Sequence, residues 1–193
     1  MYKKVFTLLL LCLSTQLLTA QKSLLKNFPE GYTPDEIGRR IAYRFVTEKH
    51  ALHAGKWIGY PETFYWNGSL KYAAAAKDKT LVKLLQARFE HLFTTEKALL
   101  PIKNHVDLNM FGSLPLELYW VTKDERYKEL GLPYADTQWE VPADAKPIEK
   151  EWAGKGYSWQ TRLWIDDMYM ITIVQTHAYK VTGDSKYIDR AAR

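Results

Sequence analysis

Apolar side chains recur three and four positions apart along much of the chain, and the gaps between these stripes mark where helices begin and end. Ile37, Ile41, Ala42, Phe45 and Val46 trace one stripe. Just ahead of it stands Thr33-Pro34-Asp35-Glu36, in which Thr33 caps, Pro34 fits the first helical position and Glu36 completes a capping box. The pattern predicts a second helix over residues 66–76 and a third over 80–93, with Leu81, Leu84, Leu85, Arg88, Phe89 and Leu92 on one face. Three connections then resemble one another, at residues 76–81, 122–127 and 182–187. Each sets an aspartate, Asp78, Asp124 or Asp184, just before a helix that it can cap, and Gly183 permits the left-handed residue that ends the outgoing helix.

Helical pairs that repeat every 40 to 60 residues or so predict an array of hairpins, an all-α fold with no strands. Residues 168–174 are apolar around nearly the whole helix, which predicts burial on all sides, as in the inner ring of a double-layered helical barrel. A globular all-α bundle is the alternative. Between Leu132 and Ser158 the pattern lapses into a stretch with three prolines, two glycines, Trp139 and Trp152, which predicts an ordered loop over a cleft. About three hairpins are legible, and a closed six-hairpin toroid needs roughly twice that number. The expected architecture is therefore about the N-terminal half of an (α/α)6 toroid, spanning residues 21–193.

The first 20 residues differ from the rest. Lys3 and Lys4 precede an apolar run over residues 5–13 that weakens toward Leu18, and Ala20 stands before the polar Gln21. That order is expected of a secretory signal peptide and so of an exported, periplasmic or extracellular protein; a buried N-terminal helix is the competing reading. The run is too short to span a bilayer, which takes about 20 apolar residues, and no other stretch resembles a membrane span. Cys12, the one cysteine of the chain, lies in this segment, so the mature chain would hold no thiol and no disulfide framework.

Loss of Lys3 and Lys4 takes the formal net charge from +5 to +3. The charges are scattered, which speaks against nucleic acid, since its binders carry a basic face or stripe. The aromatic content of 14% adds to the picture, because aromatic faces pack against sugar rings in exported proteins, although aromatics also fill cores.

The segment Trp159-Gln160-Thr161-Arg162-Leu163-Trp164-Ile165-Asp166-Asp167-Met168-Tyr169-Met170 resembles the active-site segment of glycoside hydrolase families 88 and 105, the unsaturated glucuronyl and rhamnogalacturonyl hydrolases. The family pattern of a tryptophan, one residue and a catalytic aspartate opening an inner helix falls here on Trp164 and Asp166. The stretch from His105 to Gly112 resembles the family's second acidic segment and gives Asp107, and Tyr65-Trp66-Asn67-Gly68 resembles its aromatic-Asn-Gly segment. The adjacency of Asp166 and Asp167 leaves the register of the acid to be settled.

The resemblance implies a hydrolase that removes a 4,5-unsaturated uronic acid from lyase-generated oligosaccharides, of pectin or rhamnogalacturonan type, by protonating C4 and adding water at C5. It implies no metal and no organic cofactor. Asp166 would be the acid, assisted by Asp107, with Trp66, Asn67, His105, Trp159, Arg162 and Trp164 as substrate contacts. Each also has a plainer reading. Asp166 and Asp107 sit where helix caps sit, His105 can satisfy a backbone carbonyl, the tryptophans can be core, and Arg162 can meet either the substrate carboxylate or Asp167. A proton donor at neutral pH has to resist a helix N-terminus, which favours the ionised form, so Asp166 is expected to be buried. A non-catalytic glycan-binding domain, or another carbohydrate enzyme on the same scaffold, is the alternative function.

Overall fold

The computed structural model describes residues 27–193. The segment read as a signal peptide, Cys12 included, lies outside the described residues. The chain divides into two compact units, Met1–Gly38 and Arg39–Arg193. In the first, the capping box is present: the Thr33 amide donates to Glu36 Oε2 at 3.0 Å and the Glu36 amide to Thr33 Oγ1 at 3.2 Å. It opens helix α1 (Pro34–Thr47).

The remaining helices are α2 (Tyr60–Ala75), α3 (Lys79–Glu90), α4 (Val106–Asn109), α5 (Ser113–Thr122), α6 (Glu125–Thr137), α7 (Pro147–Gly154), α8 (Ile165–Thr182) and α9 (Ser185–Ala191). The expected all-α class is what the described residues show. None of these helices is long and apolar enough to cross a membrane. One expectation fails locally. A two-residue antiparallel ladder, β1 (Leu52–His53) with β2 (Trp57–Ile58), stands where no strand was expected. Its turn is closed by Ala54 and Gly55, both at positive φ, and by a bond from the Lys56 amide to the His53 carbonyl. Such a short ladder is set by turn geometry and leaves no alternating pattern to read.

The three aspartate turns do what their residue types predict. Asp78 accepts from the Leu81 amide at 2.9 Å, Asp124 from the Arg126 amide at 3.0 Å and Asp184 from the Lys186 amide at 3.0 Å. Gly183 takes the left-handed position with φ of 72°, a role that Lys77 and Lys123 fill in the other two turns. These short turns pair α2 with α3, α5 with α6 and α8 with α9, and α5 packs on both α2 and α8. The α5–α6 crossing is close because Gly131 lacks a side chain: a Cβ there would lie 2.7 Å from Leu116 Cγ.

An aromatic chain runs through the core, from Phe45 to Trp66 (5.4 Å between ring centroids), Phe89 (5.6 Å), Phe111 (5.9 Å) and Tyr134 (5.3 Å). Offset and edge-on contacts of this kind add to the large apolar area that each ring buries.

Two further expectations need correction. The stretch from Leu132 to Ser158 is not one long loop, since α6 runs on to Thr137 with Pro133 inside it and α7 follows. Helix persists there because Tyr134 and Ala135 are buried against the core, which outweighs the bond that Pro133 removes. Likewise α8 is not buried all round. Met170, Ile171, Ile173 and Val174 are buried, but Met168 and Tyr169 face solvent, because α5, α6 and α9 cover the other side of the helix.

Candidate active site

The loop before α8 is pinned from below. Ser158 Oγ donates to the Gln138 carbonyl and the Trp159 indole N–H to the Thr137 carbonyl, each at 2.7 Å. Leu163 is then held at φ of 58°, a conformation uncommon for a residue with a Cβ, by a bond from its amide to Thr161 Oγ1 at 3.1 Å. The kink throws Trp164 outward, 58% exposed, immediately before α8 begins at Ile165.

Asp167, in the first turn of α8, is 1% exposed and reaches back to this loop. Its Oδ2 accepts the Arg162 amide at 2.6 Å, and its Oδ1 accepts Arg162 Nε at 3.0 Å and Nη2 at 2.5 Å. The same Nη2 lies 3.0 Å from Asp107 Oδ1 and 3.7 Å from Asp166 Oδ2. Arg162 therefore gathers three carboxylates, while its guanidinium also covers the Trp164 ring at 4.2 Å. The two adjacent acids differ in their surroundings. Asp167 commits both oxygens to Arg162, and only Asp166, with a side chain 48% exposed, presents a carboxyl to solvent.

Asp107 enters from α4, whose N-cap is His105: its Nδ1 accepts the Asp107 amide at 3.2 Å. That bond assigns the hydrogen of the neutral ring to Nε2. Burial pushes the His105 imidazole below its ordinary value, against the opposing pull of Asp107. The ring is neutral at pH 7 and offers one N–H donor.

The predicted residues thus fall into two groups. Asp166, Asp107, His105, Arg162 and Trp164 come together in one cluster. Trp66, Asn67 and Trp159 do not join it. Trp66 is 0% exposed inside the aromatic core and has no face for a sugar. Asn67 is buried and donates to Ser113 Oγ at 2.8 Å, joining α2 to α5. Trp159 is buried, with its N–H bonded to Thr137 as described. Each is core for the same reason, since a helix interior and a pinned loop bury whatever faces the neighbouring helices. The expected burial of Asp166 is also not found: the buried acid is its neighbour.

Beyond Trp164 lies a groove of about 500 Å³ walled by Trp139, Tyr157, Leu163, Ile165 and Met168. Beside Asp166, Tyr169 and Phe64 present an exposed aromatic pair that sequence reasoning missed. The only signal for it was the i, i+4 spacing of Tyr60 and Phe64 on α2, which does not distinguish a solvent face from a core face. Among the described residues, no group of three or more His, Cys, Asp or Glu could hold a metal ion.

The model of Glycosyl Hydrolase Family 88 matches residues 35–193, a span that contains every residue of the cluster. Comparison with curated proteins and with solved structures gives no match. With most of its length matched to that model, the chain belongs to glycosyl hydrolase family 88.

Proposed function

We propose that this glycoside hydrolase acts on lyase-generated oligosaccharides, of pectin or rhamnogalacturonan type, and removes the 4,5-unsaturated uronic acid from their non-reducing end by hydrating its double bond. The observation that carries the reading is the split between two adjacent acids. Asp167 is buried as a clamp, and Asp166 is left accessible within reach of Arg162, which also holds Asp107.

In this reading the Asp166 carboxyl gives its proton to C4, and a water molecule adds its oxygen to C5. The proton released by that water returns to the Asp166 carboxylate. The hemiketal at C5 opens by breaking its bond to the ring oxygen, and the hemiacetal left at C1 expels the rest of the oligosaccharide as an alcohol. General acid–base help of this kind contributes about 10²–10⁴-fold. A bound ring would cover the exposed half of Asp166 and bring its own carboxylate nearby. Arg162 donates from Nε and Nη2 to protein carboxylates, so Nη1 is the part of its fork that faces a substrate carboxylate. The His105 Nε2–H serves a sugar hydroxyl. The fold belongs, in this account, to a toroid, and residues 1–20 to an export signal.

The test is direct. Incubate the protein with lyase-generated oligosaccharides and follow the ultraviolet absorbance of the conjugated double bond. The reading predicts loss of absorbance with the wild type and at least a 100-fold slower loss with Asp166→Asn, about the lower limit of general acid–base help. Retained binding with no loss of absorbance would replace it with a glycan-binding role.

A further inference from the structure

The end of α8 remote from the acid cluster carries a second concentration of aromatic rings and charge. Lys180, in the last turn of α8, lies about 21 Å from Asp166 along the helix, at 1.5 Å per residue. Here α8 packs on α5, whose last turn holds Trp120, 44% exposed. Two ammonium groups converge on this indole. Lys123 Nζ lies 4.2 Å from the ring centroid and Lys180 Nζ 4.5 Å. The neighbouring Tyr119 ring has Lys128 Nζ at 5.1 Å and Lys123 Nζ at 5.5 Å.

The charges in this patch do not cancel. Lys180 pairs with Glu117 at 3.0 Å and Lys128 with Glu125 at 3.1 Å. Lys123 has no carboxylate partner among the described residues, because the adjacent Asp124 is committed to Arg126 at 2.6 Å. Both lysines on the indole are also held in place. Glu117, itself 3.2 Å from His177 Nε2, holds Lys180. Lys123 takes a left-handed backbone with φ of 63°, and its amide donates to the Tyr119 carbonyl at 2.8 Å, which fixes where its side chain starts. Groups placed in advance lose less freedom when a ligand arrives.

We propose that Trp120, Lys123 and Lys180 form a docking site for an acidic polysaccharide, a chain of uronates, separate from the acid cluster. A uronate ring supplies both halves of the match: its carboxylate meets the ammonium groups, and its C–H face meets the exposed indole. A neutral glycan would satisfy only the ring, and a phosphate surface only the lysines. Membership of a glycosyl hydrolase family favours the ligand that is a sugar. Bound at this end of α8, the polymer leaves the Asp166 end free. A tethered polymer raises the effective concentration of its chain ends at that site. The docking site goes beyond the reaction proposed above and does not depend on it.

Affinity electrophoresis through gels containing polygalacturonate tests this, with neutral galactan gels and flotation on anionic phospholipid vesicles alongside. The proteins are the wild type, Trp120→Ala, Trp120→Phe and Lys123→Gln, each checked for folding by its melting temperature. The wild type should be retarded by polygalacturonate and not by galactan, and less so as salt rises. Affinity should fall about 2–12-fold in Trp120→Ala, the worth of one aromatic contact, with Trp120→Phe in between. Lys123→Gln should lose about 2–5-fold, the worth of an exposed charge contact. If Trp120→Ala does not fold, Trp120→Phe and Lys123→Gln carry the test. No retardation of the wild type, equal retardation by galactan, or affinity unchanged in the folded variants overturns the site. Vesicle binding that needs Trp120 overturns the choice of a polysaccharide. Failure of the reaction is read separately, as wild-type protein that leaves the absorbance of the double bond intact while still binding polygalacturonate through Trp120.

Discussion

Replacing Arg162 with alanine should damage the fold as much as the site, and the size of the effect follows from what the guanidinium touches. It stands 2.5 Å from Asp167, 3.0 Å from Asp107 and 3.7 Å from Asp166, and its own side chain is three-quarters buried. At an effective dielectric of about 20, a pair of unit charges 3 Å apart attracts by roughly 5 kcal/mol before desolvation is counted. Removing one partner of a buried pair typically costs about 3–5 kcal/mol, because the other charge stays buried without compensation. Here that charge is Asp167, 1% exposed, with two more carboxylates drawn close to it. Against a total stability of about 5–15 kcal/mol, the loss is large. At about 2–4 °C per kcal/mol for a chain of this size, Arg162→Ala should melt roughly 6–20 °C below the wild type. Scanning calorimetry gives the number, and a double-mutant cycle with Asp167→Asn isolates the pair. A coupling within about 0.5 kcal/mol of zero, the additivity expected of independent sites, would refute the view that Arg162 and Asp167 form one clamp.

Gly131→Ala should cost about 1–3 kcal/mol in chemical denaturation, since its Cβ would lie 2.7 Å from Leu116 Cγ; an unchanged midpoint would mean the crossing is looser than described. Trp66→Ala should cost about 3–5 kcal/mol, and Trp66→Phe should lower stability while leaving KM unchanged, because this ring is core; a raised KM in a well-folded Trp66→Phe would restore it to the site. Glu117 is held down at about 2 by hydrogen bonds from His177 and Lys180, which prevail over its burial. A carboxyl depressed in this way contributes stability that is complete above its unfolded value of about 4.5 and is lost as pH falls through about 2, at most roughly 3 kcal/mol. Glu117→Gln should therefore melt well below the wild type at pH 7, with a gap that closes toward pH 2; a gap independent of pH would remove the charge from the explanation.

What could be read in advance was mostly local. The aspartate caps at positions 78, 124 and 184 and the left-handed Gly183 depend on a few neighbouring residues, so residue type alone announced them. Trp66, Asn67 and Trp159 went the other way, because whether an aromatic ring or an amide meets solvent is decided by helices distant in the chain. Asn67, for example, is buried by a bond to Ser113 on α5. The acids show both sides. The Trp164–Asp166 spacing marked the start of a helix, which is where α8 begins, yet the backward reach of Asp167 to the Arg162 amide depends on the kink at Leu163, which leaves no mark in composition or periodicity. Pro133 misled because a helix-breaking residue is tolerated where packing against the core outweighs one lost hydrogen bond.

The central claim is that a carbon atom, C4, receives the catalytic proton. Turnover in heavy water, quenched early and examined by nuclear magnetic resonance, tests it most directly. Hydration predicts a single deuterium at C4 of the released sugar, delivered to one face, and its loss together with turnover in Asp166→Asn. A released uronate that keeps its double bond and carries no deuterium at C4 would mean attack at the anomeric carbon, and would contradict the account.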